Sequence, residues 1–192
     1  MKKILEVPFV SQYDLPRDSD GLGRACGLAC VKMIIDYFGQ EKVTLVELSD
    51  EVKMIKGGYI ESVGWTNMGM TALMRNHGIS CYSEEFRSIF NDVKNQKIFP
   101  GVHESKLIEK GIEKIASEIE KNNPVIISGI KNWEEKNKFH KMLVVGFEKD
   151  GEVIRGFYYH DPDDENRDGE NNFVDINTFR KYWRKFAIFL DR

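Results

Sequence analysis

Cys26 stands where a polar, glycine-containing loop, SQYDLPRDSDGLGR, gives way to an apolar segment, ACGLACVKMIIDYFG. A thiol at such a junction sits at the N-terminus of a helix. Unpaired N–H groups and the positive end of the helix dipole there lower its pKa from about 8.5 and favour the nucleophilic thiolate. Gly27 beside it leaves room for a substrate or another backbone to come close. Position alone nevertheless favours an ordinary core thiol, because free cysteine is among the most buried residue types. Cys30, one helical turn deeper in the apolar segment, is read as a core thiol, and Cys81 carries no chemical signal. No two further ligands lie at metal-binding spacing from Cys30, so no metal site is expected.

A thiolate needs a base, and the chain offers His77, His103, His140 and His160. The Asp150-Gly151 pair suits a two-residue turn between strands. With Lys149 opposite Glu152, continuing the ladder puts His140 opposite Asp161 as a non-hydrogen-bonded pair, with Cα atoms about 4.5 Å apart and side chains on one face. The carboxylate would then fix the imidazole tautomer and favour the imidazolium that forms when the thiol loses its proton. A bulge would shift this register. His160 is expected on the opposite face from Asp161 in a structural or exposed role, His77 at a helix end, and His103 on a surface loop. Gln12, between the first predicted strand and the loop, has an amide N–H₂ able to donate to an oxyanion together with the Cys26 backbone N–H, although taken alone it reads as a surface glutamine.

Two acidic stretches, Asp18 with Asp20 and the segment DPDDENRDGE from Asp161, raise calcium as an alternative. Neither completes the alternating oxygen pattern closed by a bidentate glutamate, so both are read as solvated loops.

The elements that must position these groups follow from periodicity. KILEVPFV, residues 3–10, reads as an edge strand limited by Pro8. Residues 26–38 read as a largely buried helix stopped by Gly39. Thr44-x-x-Glu47 opens a second helix as a capping box, and a third is expected over residues 68–76. SKLIEKGIEKIASEIEKNN is amphipathic, with Leu107, Ile108, Ile112, Ile115 and Ile119 on one face despite Gly111. Strands then follow at PVIISGI, HKMLVVGFE, EVIRGFYYHD and FAIFLD, with a short helix, NTFRKYW, capped by Asn177. Helices first and strands last predict an α+β fold in a single domain, residues 1–192.

A hydrophobic content of 41% supports one core at this length. The net charge of −3 offers no basic field for nucleic acid. Three cysteines cannot all pair within one chain. No apolar run reaches the roughly 20 residues of a membrane helix, and the N-terminal residues lack a small-residue cleavage site. The expectation is a soluble, cytoplasmic protein that does not engage membranes.

VPFVSQ, CGLACVKMIIDYFG, HKMLVVGF and YYHDP resemble, in that order, the motifs of bacteriocin-leader-processing (double-glycine) cysteine peptidases, and especially their stand-alone relatives in the papain-like superfamily. The motifs run from residue 7 to residue 162. The resemblance implies Cys26 as nucleophile, His140 as general base, Asp161 as its partner, Gln12 as oxyanion donor, no cofactor, and a peptide or protein substrate. It also implies a papain-like fold with the nucleophile helix packed on an antiparallel sheet. The Asp14-to-Gly23 loop is longer than in the leader-processing enzymes and leaves the substrate open. Two other readings share these residues: a different thiol acyl transfer (transpeptidase, deamidase or isopeptidase), and a catalytically silent binding module.

Overall fold

Period-2 sequence after Pro124 builds a sheet, and the apolar face of Cys26–Phe38 supplies the helix that lies on it. The computed structural model describes residues 1–16, 24–39, 42–60, 64–92, 97–101, 103–164, 166 and 168–192. The chain enters through β1 (Lys2–Ile4) and a 3₁₀ turn at Gln12–Asp14, then forms α1 (Cys26–Phe38) and α2 (Leu45–Met54). Gly39 ends α1 in the left-handed conformation, φ 60°. Thr44 and Glu47 cap α2 reciprocally, as their spacing predicts. Two short strands, β2 (Tyr59–Ile60) and β3 (Gly64–Trp65), lead into α3 (Asn67–Asn76), whose first turn is capped by the Thr66 hydroxyl. Strands β4 (Cys81–Glu85), β5 (Ile89–Asp92) and β6 (Lys97–Pro100) precede the amphipathic α4 (Glu104–Glu120). The last third is β7 (Val125–Ile130), β8 (Phe139–Asp150), β9 (Val153–His160), β10 (Asn172–Asp175), α5 (Ile176–Tyr182) and β11 (Trp183–Leu190).

The main sheet runs β10-β9-β8-β7-β11-β4, antiparallel throughout, with β1 added alongside β8. One edge of β8 serves two partners: residues 139–144 pair with β7, and residues 146–148 pair with β1. This is the α+β architecture expected, with α1 packed against β8 and α2 and α3 against α1. Leu28, Met33, Ile34 and Ile35 of α1 are fully buried. Each such side chain contributes about 1.5–3 kcal/mol of transfer free energy. Ile112, Ile115 and Ile119 of α4 are buried as the periodicity requires, and Leu107 and Ile108 pack at the margin.

Several local expectations change. The first strand is short: beyond Ile4 the chain leaves the ladder, and Val7 instead offers its carbonyl to His160. Strands β4, β5 and β6 went unread because their apolar residues do not alternate cleanly with polar ones. α5 is capped by Asp175, which accepts from the backbone of Asn177 and Thr178, so the cap lies two residues before Asn177. In the β8–β9 hairpin Asp150 pairs with Val153, which puts Gly151 and Glu152 in the turn. Gly151, at φ 56°, takes the first turn position rather than the second. Two irregularities, one on each strand, then cancel, and Leu143 faces His160. The predicted direct pairing of His140 with Asp161 is therefore wrong: continuing that register one step puts Met142 opposite Asp161.

Gly111 looks like a weak point in α4, yet a Cβ there would lie 2.5 Å from the Trp183 ring and 2.8 Å from Phe86. Gly111→Ala gains about 1 kcal/mol of helix propensity but overpacks two buried aromatic rings at about 1–3 kcal/mol. The expected result is a lower denaturation midpoint; a higher one would show that the rings yield at no cost.

Candidate active site

Cys26 is the first residue of α1, and its N-cap, Ala25, provides no side-chain hydrogen bond to the helix start. The free N–H groups of the first turn are therefore left to stabilise negative charge. His140, only 5% exposed, is the second residue of β8. Its Nε2–H donates to Asp161 Oδ1 at 2.6 Å, and the ring lies near enough to Cys26 for each group to shift the other's pKa. With Nε2 committed to the carboxylate, Nδ1 is the nitrogen left for the sulfur. The imidazole thus reaches diagonally, from two residues along β8, to the carboxylate that the shifted hairpin puts just past the end of β9.

These contacts set the charges. Burial works against the Cys26 thiolate, but the hydrogen bond and charge of His140 outweigh it, aided by the Lys141 backbone N–H and ammonium, and the thiol pKa falls below its ordinary value. Burial also opposes the imidazolium, yet Asp161 and the thiolate raise the His140 pKa to about 10. Burial would raise the Asp161 pKa, and His140 with the Asp163 N–H brings it below the ordinary carboxylate value. Both shifts favour the thiolate–imidazolium form of the pair. Cys30, behind Cys26 and fully buried, is pushed well up by desolvation, and Cys81 is raised for the same reason.

Gln12 is 2% exposed and lines the same cleft as Cys26 and His140. Its Nε2 donates to Asp163 Oδ1 at 2.7 Å, leaving the second N–H of the amide. Asp163 Oδ1 also accepts from the Tyr13 hydroxyl at 2.6 Å, and Lys131 pairs with Oδ2. The Asp163 backbone N–H donates to Asp161 Oδ1 at 2.9 Å. Two further bonds, Gln12 N to Pro162 O and Ser11 Oγ to Asp164 O, join the same two segments. The acidic loop read as solvated is therefore, at Asp161 and Asp163, part of the framework of the site. Asp164 accepts from its own loop at Asn166 N. No group of three or more metal-capable side chains occurs among the described residues. Asp18, Asp20 and most of the Asp14-to-Gly23 loop lie outside the described residues.

His160 is fully buried, donating Nε2–H to Val7 O at 2.9 Å and accepting Asn171 N–H at Nδ1. Burial lowers its pKa, and both ring nitrogens are satisfied by a neutral imidazole, so it is structural. His77 pairs with Glu51 at the end of α3. Sequence reasoning missed Asp163, Tyr13 and Lys131, as well as Lys141, Trp65, Asn67 and Arg184 in the cleft wall. The one available signal was the spacing of Asp163, two residues after Asp161.

A cysteine at the start of a buried helix, facing a histidine and a carboxylate delivered by an antiparallel sheet, defines the architecture of papain-like thiol hydrolases. The Peptidase_C39-like family model matches residues 4–187, and the chain belongs to that family, a family of cysteine peptidases. The fold is shared with a protein from Bacillus anthracis described as a C39-like peptidase (TM-score 0.64, 17% identity, 100% of this chain and 98% of that one). A double-glycine-motif protease from an AMS/PCAT transporter, solved with its leader peptide, gives TM-score 0.54 at 14% identity over 98% of this chain and 94% of that one. The peptidase domain of Streptococcus ComA gives TM-score 0.55 at 17% identity over 88% and 91%. The comparison with curated proteins returned no match. Among the described residues no helix is long and apolar enough to cross a membrane.

Limited iodoacetamide at neutral pH is expected to modify Cys26 ahead of Cys30 and Cys81, read by peptide mass mapping. Its rate falls only as pH drops through the lowered thiol pKa. In His140→Ala the same limb moves up toward or beyond about 8.5, the value for a free thiol. Equal labelling of all three thiols in the folded protein would contradict this assignment.

Proposed function

We propose that the chain is a cysteine peptidase that cleaves a peptide or other amide bond through Cys26, His140 and Asp161, with Gln12 in the oxyanion site. The observation that carries this reading is the imidazole between two partners: His140 bonds Asp161 through Nε2 and is electrostatically coupled to Cys26, at the wall of an open cleft of about 680 Å³. The transporter-derived neighbour was solved with a leader peptide, which supports an extended peptide as the kind of substrate that such a cleft accepts.

In the first half-reaction the Cys26 thiolate attacks the scissile carbonyl carbon. The carbonyl π pair moves to oxygen, where the free N–H of the Gln12 amide and the backbone N–H of Cys26 receive it. Collapse breaks the C–N bond, and the His140 imidazolium gives its proton to the departing amine. Asp161 keeps the imidazole in the tautomer and orientation needed for this transfer. In the second half-reaction neutral His140 takes a proton from water, the hydroxide attacks the thioester, and the acid leaves with the thiolate restored. No cofactor enters the scheme. A soluble setting and a peptide partner belong to the same proposal. Cys26 is part-exposed in the cleft, an arrangement suited to substrate access rather than to a silent binding module.

Cys26→Ser and His140→Ala should each abolish peptide hydrolysis to near background, and Asp161→Asn should lower kcat by orders of magnitude with little change in KM. Gln12→Ala removes one oxyanion donor and should lower kcat about 10²- to 10³-fold. The kcat profile should rise with pH as Cys26 ionises and fall as His140 loses its proton near 10, because the leaving amine then has no acid. An acyl-enzyme mass on Cys26 that partitions to an added amine instead of water would redirect the assignment to transpeptidation. Release of ammonia from glutamine substrates would redirect it to deamidation. Full hydrolysis by Cys26→Ala would reject the site.

A further inference from the structure

The cleft is lined by six cationic side chains besides His140 and by two carboxylates, Glu85 and Asp163, in a chain whose net charge is −3. Lys131 is neutralised by Asp163. Among the described residues Arg87, Lys141 and Arg184 have no ion-pair partner, and each is held by neutral groups. Lys141 Nζ gives one hydrogen bond to Asn67 Oδ1, at 2.7 Å, and lies 4.2 Å from the centre of the Phe186 ring. The Arg184 guanidinium stacks 3.4 Å above Phe139. Arg87 donates twice to the backbone carbonyl of Arg184, at 3.1 and 2.9 Å.

These cations act against one another. Burial, with the charge of Arg184 adding to it and the Cys26 thiolate opposing, brings the Lys141 pKa down to about 8. Burial and the neighbouring Arg87 lower that of Arg184, offset in part by the exposed Glu85. Side-by-side cations, partly desolvated and without a salt bridge among the described residues, cost folding free energy that the contacts with Asn67, Phe186 and Phe139 only partly offset. Two N–H donors of the Lys141 ammonium and the outer edge of the Arg184 fork remain for an anion. The location is specific: Lys141 follows His140, and its Cγ lies 3.6 Å from where a Cβ on Gly27 would stand, next to the nucleophile.

Building on the peptidase reading above, we propose that Lys141 and Arg184, with Arg87 at the rim, form a recognition site for a substrate carboxylate, namely an Asp or Glu side chain within two residues of the bond that is cut. Asn67 and Phe186 hold the ammonium in place, and Phe139 holds the guanidinium flat, so the site is organised before the substrate arrives. A neutral isostere leaves both cations unpaired in the complex.

The test has two arms. In the first, internally quenched peptides amidated at the C-terminus carry Glu, Gln or Lys at each of the two positions on either side of the scissile bond. At one of these positions Glu is expected to exceed Gln in kcat/KM by about tenfold or more, the scale of one charge-assisted contact. That ratio should collapse toward unity in Arg184→Gln and Lys141→Met and be retained in Arg184→Lys. No Glu advantage at any position, an advantage that survives both neutral substitutions, or one that appears only with a free C-terminal carboxylate overturns the proposal. The second arm needs no hydrolysis: the rate of Cys26 alkylation by the anion iodoacetate is divided by that for neutral iodoacetamide, with S–C bond formation and iodide release in both. The ratio should drop about tenfold in the Lys141→Met, Arg184→Gln double variant, and a ratio left unchanged overturns the carboxylate site. If no peptide is cleaved while the alkylation ratio behaves as expected, the peptidase reading fails and the anion site stands.

Discussion

An imidazolium shielded from water against a thiolate is unfavourable until other groups replace the lost hydration, and this requirement organises the molecule. The helix start left open at Cys26 lowers the cost of the negative partner. The carboxylate at Asp161 lowers the cost of the positive one, accepting from Nε2 at 2.6 Å. Neither group belongs to the element that carries His140. The sheet must therefore hold β8 against α1 on one side while β9 brings Asp161 level with the ring on the other, and the long antiparallel β8–β9 ladder does both.

Asp163 extends this arrangement to the other end of the chain. Its carboxylate gathers the Gln12 amide, the Tyr13 hydroxyl and the Lys131 ammonium, and its backbone N–H supports Asp161. One acidic residue thus couples the orientation of Gln12 to that of the Asp161 carboxylate behind His140. The chemistry of the cleft and the fold of the loop after β9 are stabilised by the same bonds. By contrast, among the described residues Lys141, Arg184 and Arg87 have no salt bridge and are held by rings, an amide and a carbonyl.

The parts of this structure legible in the sequence are those set by local rules. The start of α1 at Cys26, its stop at Gly39, the capping box at Thr44 and the apolar stripe of α4 all depend on residues within a turn or two of each other. The Asp-Gly turn preference brings His140 near Asp161 but in a register that the hairpin does not adopt. The turn lies one residue later than the Asp-Gly preference suggested, and the contact is made because an imidazole spans a diagonal between register positions. Asp163, Lys141 and Arg184 were not legible, since their roles depend on which neighbours a long-range register supplies. A run such as DPDDENRDGE reads as solvated until the segment that covers it is known. Gln12 came from family resemblance; no local pattern distinguishes it from a surface glutamine.

The double use of one edge of β8, first by β7 and then by β1, bears on when the site comes into being. Residues 2–4 find their places only on strand residues 146–148, and Gln12 docks only on the segment around Pro162. These are closures across most of the chain, slow to form and of little value until the rest is in place. A chain emerging from the ribosome can build α1 and expose its thiol early, but Gln12 and Asp161 reach their places together and late. Synthesis thus imposes an order of assembly in which Cys26 waits for residues 2–12 to meet the segments around 146–148 and Pro162.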